Sequence, residues 1–394
     1  MIDAIFGEPL AAPLRLRRGT WRTATLAETW RRFAPLAPRV GLTRLADLTG
    51  LDAVGVPVVA AIRPMGRSLS SSQGKGATLL AARVSALCES LETWHAEERR
   101  PDRIATARAL GAATIARARA LPRTGARFGQ DVARPWVRAT VLPSGRRAWI
   151  PWQAVTLDTE AATASTPVFD VSSNGLASGN TVGEAIVHGL AEVIERDAEA
   201  DWRLSGDDRR VVLDTIPDRL VRGLIDRVSA TGTRLWLWDL TSEVGVPVFG
   251  CGLMHDPREP GWRALGFYQG FGCHLDPFVA MARAITEAVQ TRMTYISGAR
   301  DDFFPADYRQ ATDRRVLARV WRRYAAPPDE SIDARGYARP RFADIAEVLA
   351  ALVGALGAAG SPEVAVVDLR QPALGMPVVK VLVPGRATAL AGLG

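Results

Sequence analysis

The chain has 394 residues, 47% of them apolar, a net charge of +7 and a mean hydropathy of +0.02, the values of a soluble globular protein. Its length suits two or three domain-sized units or one large α/β unit. No run of 18 or more apolar residues exists, which excludes a membrane-spanning helix.

The opening residues, MIDAIFGEPLAAPLRLRRG, carry acidic residues and proline where a secretory signal has a basic start and an unbroken apolar stretch, so a cytoplasmic protein is expected. A helix is predicted around Leu26 to Phe33, with Thr25 as N-cap. A strand-like run, VGVPVVAAIRP, follows, and SLSSSQGKGAT then reads as a Ser/Gly loop opening onto a long helix. Residues 99–150 are rich in Arg, Ala and Pro and hold a predicted hairpin, VLPSGRRAWIP, with Arg146 and Arg147.

TPVFDVSSNGLASGNT is a Gly/Ser/Asn loop ahead of the helix GEAIVHGLAEVIERDAEADW. TRLWLWDLTSEVGVPVFGCGLM reads as two strands around a turn, and GWRALGFYQGFGCHLDPFVAMARAITEAVQTRMTYISG as a strand, a Gly-rich loop and a helix. Residues 301–345 are charged and expected on the surface, and EVAVVDLRQPALGMPVVKVLVPG gives two last strands. No repeat array of fixed period is present. The alternation of strands and helices argues for α/β or α+β architecture.

Cys88, Cys251 and Cys273 form no CxxC pair and are expected as free buried thiols. A pI near 9.9 favours acidic partners in principle. The excess is arginine spread along the chain, however, with lysine only at Lys75 and Lys380. No aromatic residues interleave with a basic strand, so nucleic acid is not an expected partner.

The chemistry concentrates in three helices. At about 100° per residue, positions four and seven apart share one narrow arc. His188, Glu192 and Glu195 have that spacing, with Glu184 one turn earlier. Ser85, Glu89 and Glu92 repeat it, as do Arg283, Glu287 and Gln290. A solvated face would interleave Arg or Lys with Glu, because such pairs support a helix, and the two glutamate-rich seams do not. Brought together in one interior, Glu89, Glu92, Glu192, Glu195 and Glu287 require divalent cations, and hard oxygen ligands suit Mg2+. The loops before the helices fit an anion beside that metal: Lys75 lies between Gly74 and Gly76, and Asn180 sits at a helix start, where free N–H groups favour anions. Neither loop is a Walker A motif.

SSNGLASGNTVGEAIVHGLAEVIERDA, SQGKGATLLAARVSALCESLE and RAITEAVQTR together resemble the YcaO family of ATP-dependent peptide backbone-modifying enzymes. The resemblance runs from about residue 15 to the end. It implies an α+β fold with mixed sheets packed around helices that carry a Mg-ATP site. Residues 1–64 are then an N-terminal segment contributing to the nucleotide site, and 65–394 the catalytic domain, with variable charged segments at 99–150 and 301–345.

By the same resemblance Glu89, Glu92, Glu192 and Glu195 are metal ligands. Arg22, Thr29, Lys75, Ser85, Asn180, Glu184, Arg196, Arg283 and Glu287 serve the nucleotide, with Arg196, Arg283 and Glu287 also catalytic, and His188 is a neighbour of the site. GTWRTATLAETW, LETWHAE and TEAVQTRMTYISGARDD are similar to the members that work with a TfuA-like partner, including those that form thioamides. The end, VPGRATALAGLG, lacks the Pro-rich tail of azoline-forming cyclodehydratases, and no extra N-terminal domain for leader capture is seen.

The expected function is ATP-dependent O-phosphorylation of a backbone amide, followed by entry of sulfur from a donor to give a thioamide in a precursor peptide. A cyclodehydratase forming azolines from Cys, Ser or Thr is the alternative, and a non-catalytic ATP-binding scaffold the second. A homodimer is consistent with the resemblance. His95 is expected to be structural, and Cys273 beside His274 raises the question of a sulfur nucleophile.

Overall fold

The computed structural model describes residues 2–16, 19–111, 121, 124, 126–163, 167–259, 265–298 and 300–386. Helix α1 (Leu26–Phe33) begins where the sequence predicts. The Thr25 hydroxyl accepts from the Glu28 N–H, and the Glu28 carboxylate accepts from the Thr25 N–H, closing a capping box.

An antiparallel meander follows, Arg44–Asp47, Val58–Ile62 and Ser71–Lys75. The SSQGK run is therefore an edge strand and not the loop expected from its Ser and Gly. Its ladder with Val58–Ile62 satisfies the backbone, and Gly74 lets it lie against helix α2 (Leu79–Glu98). A Cβ at Gly74 would stand 2.0 Å from the Ala86 nitrogen, so only glycine permits the contact. Helix α3 (Val182–Ser205) starts after the short strand Leu176–Ser178.

Helix α4 (Arg219–Ser229) then leads a second meander, Thr233–Asp239, Val248–His255 and Tyr268–Cys273, which ends in helix α5 (Pro277–Ser297). The order helix, three strands, helix thus occurs twice. One constant offset in residue number carries Leu79 onto Pro277, Gly74 onto Gly272, and Ser85, Glu89 and Glu92 onto Arg283, Glu287 and Gln290. At Gly272 a Cβ would meet the Ala280 oxygen at 2.2 Å, the same close strand-to-helix approach. Helix α3 keeps the same count, so in all three helices the seam falls on the seventh, eleventh and fourteenth residues.

The second meander extends through Arg209–Val211 and Glu330–Ile332 into a five-stranded sheet. A six-stranded sheet runs in the order Arg103–Ala105, Arg134–Leu142, Val364–Asp368, Val378–Leu382 and Leu176–Ser178, with Arg146–Pro151 along Arg134–Leu142 as the predicted hairpin. Alternation along its strands divides two cores. Ala365 and Val367 join Leu87 and Leu91 of α2, while Val364, Val366 and Val381 join Ile186 and Leu190 of α3.

The segment 301–345 is only partly the surface expected from its charge. Helix α6 (Arg314–Ala325) buries Leu317, Trp321 and Tyr324, one apolar stripe among arginines, and Trp321 and Tyr324 pack on Trp236. Helix α7 (Ile345–Ala358) buries Leu349 and Leu352 beside α3. The tail from 387 lies outside the described residues. Among those described, no helix is long and apolar enough to cross a membrane.

Candidate functional site

Three backbone contacts tie the seams together across elements. The Ser178 N–H and hydroxyl donate to Glu92 of α2 at 2.8 and 2.6 Å. The Cys273 N–H donates to Glu195 of α3 at 2.8 Å, and the Phe271 N–H to Glu287 of α5 at 3.3 Å. The Lys75 ammonium donates to the other Glu287 oxygen at 2.5 Å, and Arg196 stands 3.8 Å from Glu287. These contacts bring the three seams into one neighbourhood.

Burial, with repulsion from Glu287, pushes the Glu192 and Glu195 carboxyls up to about 7 against the pull of Arg196, and burial pushes up Glu92 despite its Ser178 bonds. Glu89 keeps solvent contact, yet burial of its surroundings also pushes it up to about 7, against Lys75. Burial acts the same way on Glu287, but Lys75, Arg196 and Arg283 outweigh it and hold that group at about 2. Burial opposes the Arg196 charge, and Glu287, Glu195, Glu199 and Glu192 together keep it on.

Lys380, from the last strand, is 2% exposed; its ammonium donates to the Ser172 carbonyl and pulls the Glu192 carboxyl down. Burial lowers the ammonium to about 8 and Glu192 raises it. Glu89, Glu192 and Glu195, poised near neutrality, and Glu92, raised by its burial, with only part of their charge answered, are a donor set that fits Mg2+. No three acidic, His or Cys side chains among the described residues close on one point. Glu92, Glu195 and Glu287 are instead turned onto protein donors, and Mg2+ usually takes only one or two carboxylates.

A second corner is built on Glu184, which accepts from Arg22 at 3.3 Å, the Thr23 N–H and hydroxyl at 2.9 and 2.7 Å, and the Asn180 N–H and side-chain amide at 3.2 and 3.0 Å. Thr29 donates to the Asn180 side-chain oxygen at 3.0 Å, and Arg32 to the Asn180 carbonyl at 2.7 Å. The Asn180 N–H, expected to be open to an anion, is thus taken by Glu184. Thr181 caps Glu184, and the Glu184 carboxylate is the anion at that end. Lys75 likewise sits in a strand and an ion pair, not in an open loop.

Ser85 opens the α2 seam, half-buried, with no hydrogen-bond partner among the described residues. Arg283 Nε and His188 Nδ1 are buried without one. Burial together with Arg22, Arg283 and Lys75 keeps His188 neutral.

His95 is buried, its Nδ1 2.7 Å from the Leu91 carbonyl and its Nε2 without a hydrogen-bond partner among the described residues. Cys273 and His274 diverge. Burial pushes the Cys273 thiol well up, beside Glu195, while His274 packs edge-on to Trp21 at 4.5 Å, and burial lowers its ring to about 3. All three cysteines are free, Cys88 only half-buried.

Sequence reasoning missed Ser178, Thr23, Arg32 and Lys380. Only Lys380 carried a signal, as one of two lysines in an arginine-rich chain. Cavities of about 320 and 740 Å3 lie away from the seams, lined by residues such as Trp236 and Trp321 in one and Arg138 and Arg147 in the other.

A family model described as YcaO cyclodehydratase, ATP- and Mg2+-binding, matches residues 73–387. A protein of the tfuA 3′ region of Rhizobium leguminosarum bv. trifolii is 35% identical to this chain over 94% of it and 90% of its own length. The structure of YcaO from Methanopyrus kandleri bound with AMPPCP and Mg2+ superposes with a TM-score of 0.77 at 25% identity, over 95% of each chain. A heterocyclase in complex with substrate and cofactor also gives 0.77 at 25% identity, over 95% of this chain and 54% of that one.

Proposed function

This chain belongs to the YcaO family, an ATP- and Mg2+-binding family, and from that premise we propose that it activates a peptide backbone amide by O-phosphorylation and directs sulfur onto the activated carbon to give a thioamide. The observation that carries the ATP half is the approach of three glutamate-bearing polar seams set at one depth in three helices. The thioamide half, and a TfuA-like partner, draw support from the likeness to the tfuA 3′-region protein over nearly the whole chain.

In this reading Glu89, Glu92, Glu192 and Glu195 hold Mg2+, and Arg22, Thr29, Ser85, Asn180 and Glu184 shape the nucleotide side. When bound, Mg·ATP supplies the phosphoryl group that turns an amide oxygen into a phosphate leaving group and leaves an imidate carbon open to attack.

The chain's own residues position and neutralise. Arg196, whose charge four carboxylates keep on, faces developing negative charge, and the Arg283 Nε–H is unspent on protein. Lys75 holds Glu287 ionised and oriented. None of these groups selects the nucleophile. An external sulfide equivalent gives a thioamide, whereas a neighbouring Cys, Ser or Thr side chain gives an azoline, the reading favoured by the heterocyclase likeness.

Intact mass spectrometry of a candidate precursor peptide, incubated with the protein, a TfuA-like partner, Mg2+, ATP and sulfide, separates them. The thioamide reading expects a gain of about 16 Da per site from exchange of oxygen for sulfur, abolished by Glu192→Gln. A loss of about 18 Da, the water expelled on ring closure, assigns the azoline branch instead.

A further inference from the structure

The cavity of about 740 Å3 lies outside the carboxylate seams, and its volume falls among those of ligand sites, about 300–1,000 Å3. Its floor is one face of the six-stranded sheet. Arg138 and Thr140 alternate onto that face, and their cross-strand partners Trp149 and Arg147 share it. Five arginines line the groove against three carboxylates.

The carboxylates are already answered. Asp102 accepts from Arg99 at 2.7 Å and from the Arg138 N–H at 2.8 Å, Asp368 from Arg370 at 2.8 Å, and Glu98 pairs with Arg67 at 2.8 Å. Arg138, stacked 5.3 Å over Trp149, and the exposed Arg147 have no ion pair among the described residues. Arg100, also exposed, stands 3.6 Å from Asp158. The surplus of the groove is thus Arg138 and Arg147, with Arg100 held by its one long pair to Asp158.

We propose that this groove seats an extended acidic segment of the peptide substrate, its carboxylates on Arg138, Arg147 and Arg100. The assignment rests on the peptide-modifying reading above and adds the substrate class, an acidic peptide. Guanidinium forks suit spaced carboxylates, whereas an unbroken phosphate chain would run against Asp102 and Asp368. The loop beyond Arg370 reaches Gly375, whose carbonyl accepts from the same Arg32 that holds the Asn180 carbonyl.

Fluorescence anisotropy on the full chain, without ATP or Mg2+, provides the test, with a labelled peptide alternating Glu and Gly as probe and its Gln counterpart as control. The Glu peptide is expected to bind and the Gln peptide not. Arg138→Glu with Arg147→Glu is expected to weaken binding about ten-fold. Arg222→Glu with Arg227→Glu, the same charge change on exposed positions of α4, leaves it unchanged.

Equal weakening by both pairs, equal binding of the Gln peptide, absence of binding, or preferential binding of oligothymidine of the same length overturns the proposal. Because no nucleotide is present, that failure leaves the amide chemistry to its own mass assay. In that assay the Arg138/Arg147 pair should raise the peptide concentration for half-maximal conversion and spare the maximal rate. The reverse pattern removes the groove from substrate recognition.

Discussion

Lys75 and Lys380 are the chain's only lysines, and each stands against a glutamate of a different seam, Glu287 for one and Glu192 for the other. A compact ammonium fits a buried point where a guanidinium fork would need several acceptors in one plane. Lys380→Met is expected to cost about 1–3 kcal/mol, the penalty for leaving the Ser172 carbonyl unpaired and Glu192 without its cation, as read by urea unfolding. Lys380→Arg should fail to rescue it. Glu184 makes a separate case, because it alone gathers Arg22, Thr23 and Asn180. Glu184→Gln turns an amide group toward those donors and should weaken AMPPCP binding at least about ten-fold by calorimetry, the loss of one charge-assisted contact of about 1.5–3 kcal/mol. Unchanged affinity would remove this corner from the nucleotide site.

Each seam helix works at a fixed distance from its start, and a glycine beneath two of them sets how near the preceding strand lies. Gly74→Ala and Gly272→Ala should each destabilise by about 1–3 kcal/mol, since a Cβ meets backbone and no side chain can swing away. Gly223→Ala, in the middle of α4 with nothing within 4 Å, should stabilise by about 0.5–1 kcal/mol. Denaturant midpoints of the three variants check the ordering. This scale also explains what the sequence disclosed. The seams were legible because helix period is local, so Glu89, Glu192 and Glu287 could be aligned by counting. The Ser178 contact to Glu92 was not legible, because an 86-residue separation is closed only by the sheet. The strand Ser71–Lys75 was hidden because small residues look like a turn until a helix presses on them. The buried stripe Leu317, Trp321 and Tyr324 was masked by the arginines around it.

For the whole molecule, the seams couple folding to proton and metal binding. Glu89, Glu192 and Glu195 sit near 7 in the fold against an ordinary value of 4.5, so between those values the folded chain holds more protons than the unfolded one. Their contribution is complete below about pH 4.5 and is lost as pH rises through about 7. Glu287, held at about 2, has the opposite sign, and its contribution disappears only in strong acid. Lys380, lowered to about 8 from 10.5, adds stability with rising pH only above about 8. In EDTA, therefore, the melting temperature should fall from about pH 5.5 to about pH 8. Mg2+ needs the carboxylates ionised, so the increment given by Mg·ATP should grow over the same interval, approaching about 2.7 kcal/mol at a hundredfold excess over Kd. Glu192→Gln with Glu195→Gln should flatten both trends. A melting temperature level with pH in EDTA, or an equal Mg·ATP increment at about pH 6 and about pH 8, would mean that the seams do not share one buried charge budget and that the metal is held elsewhere.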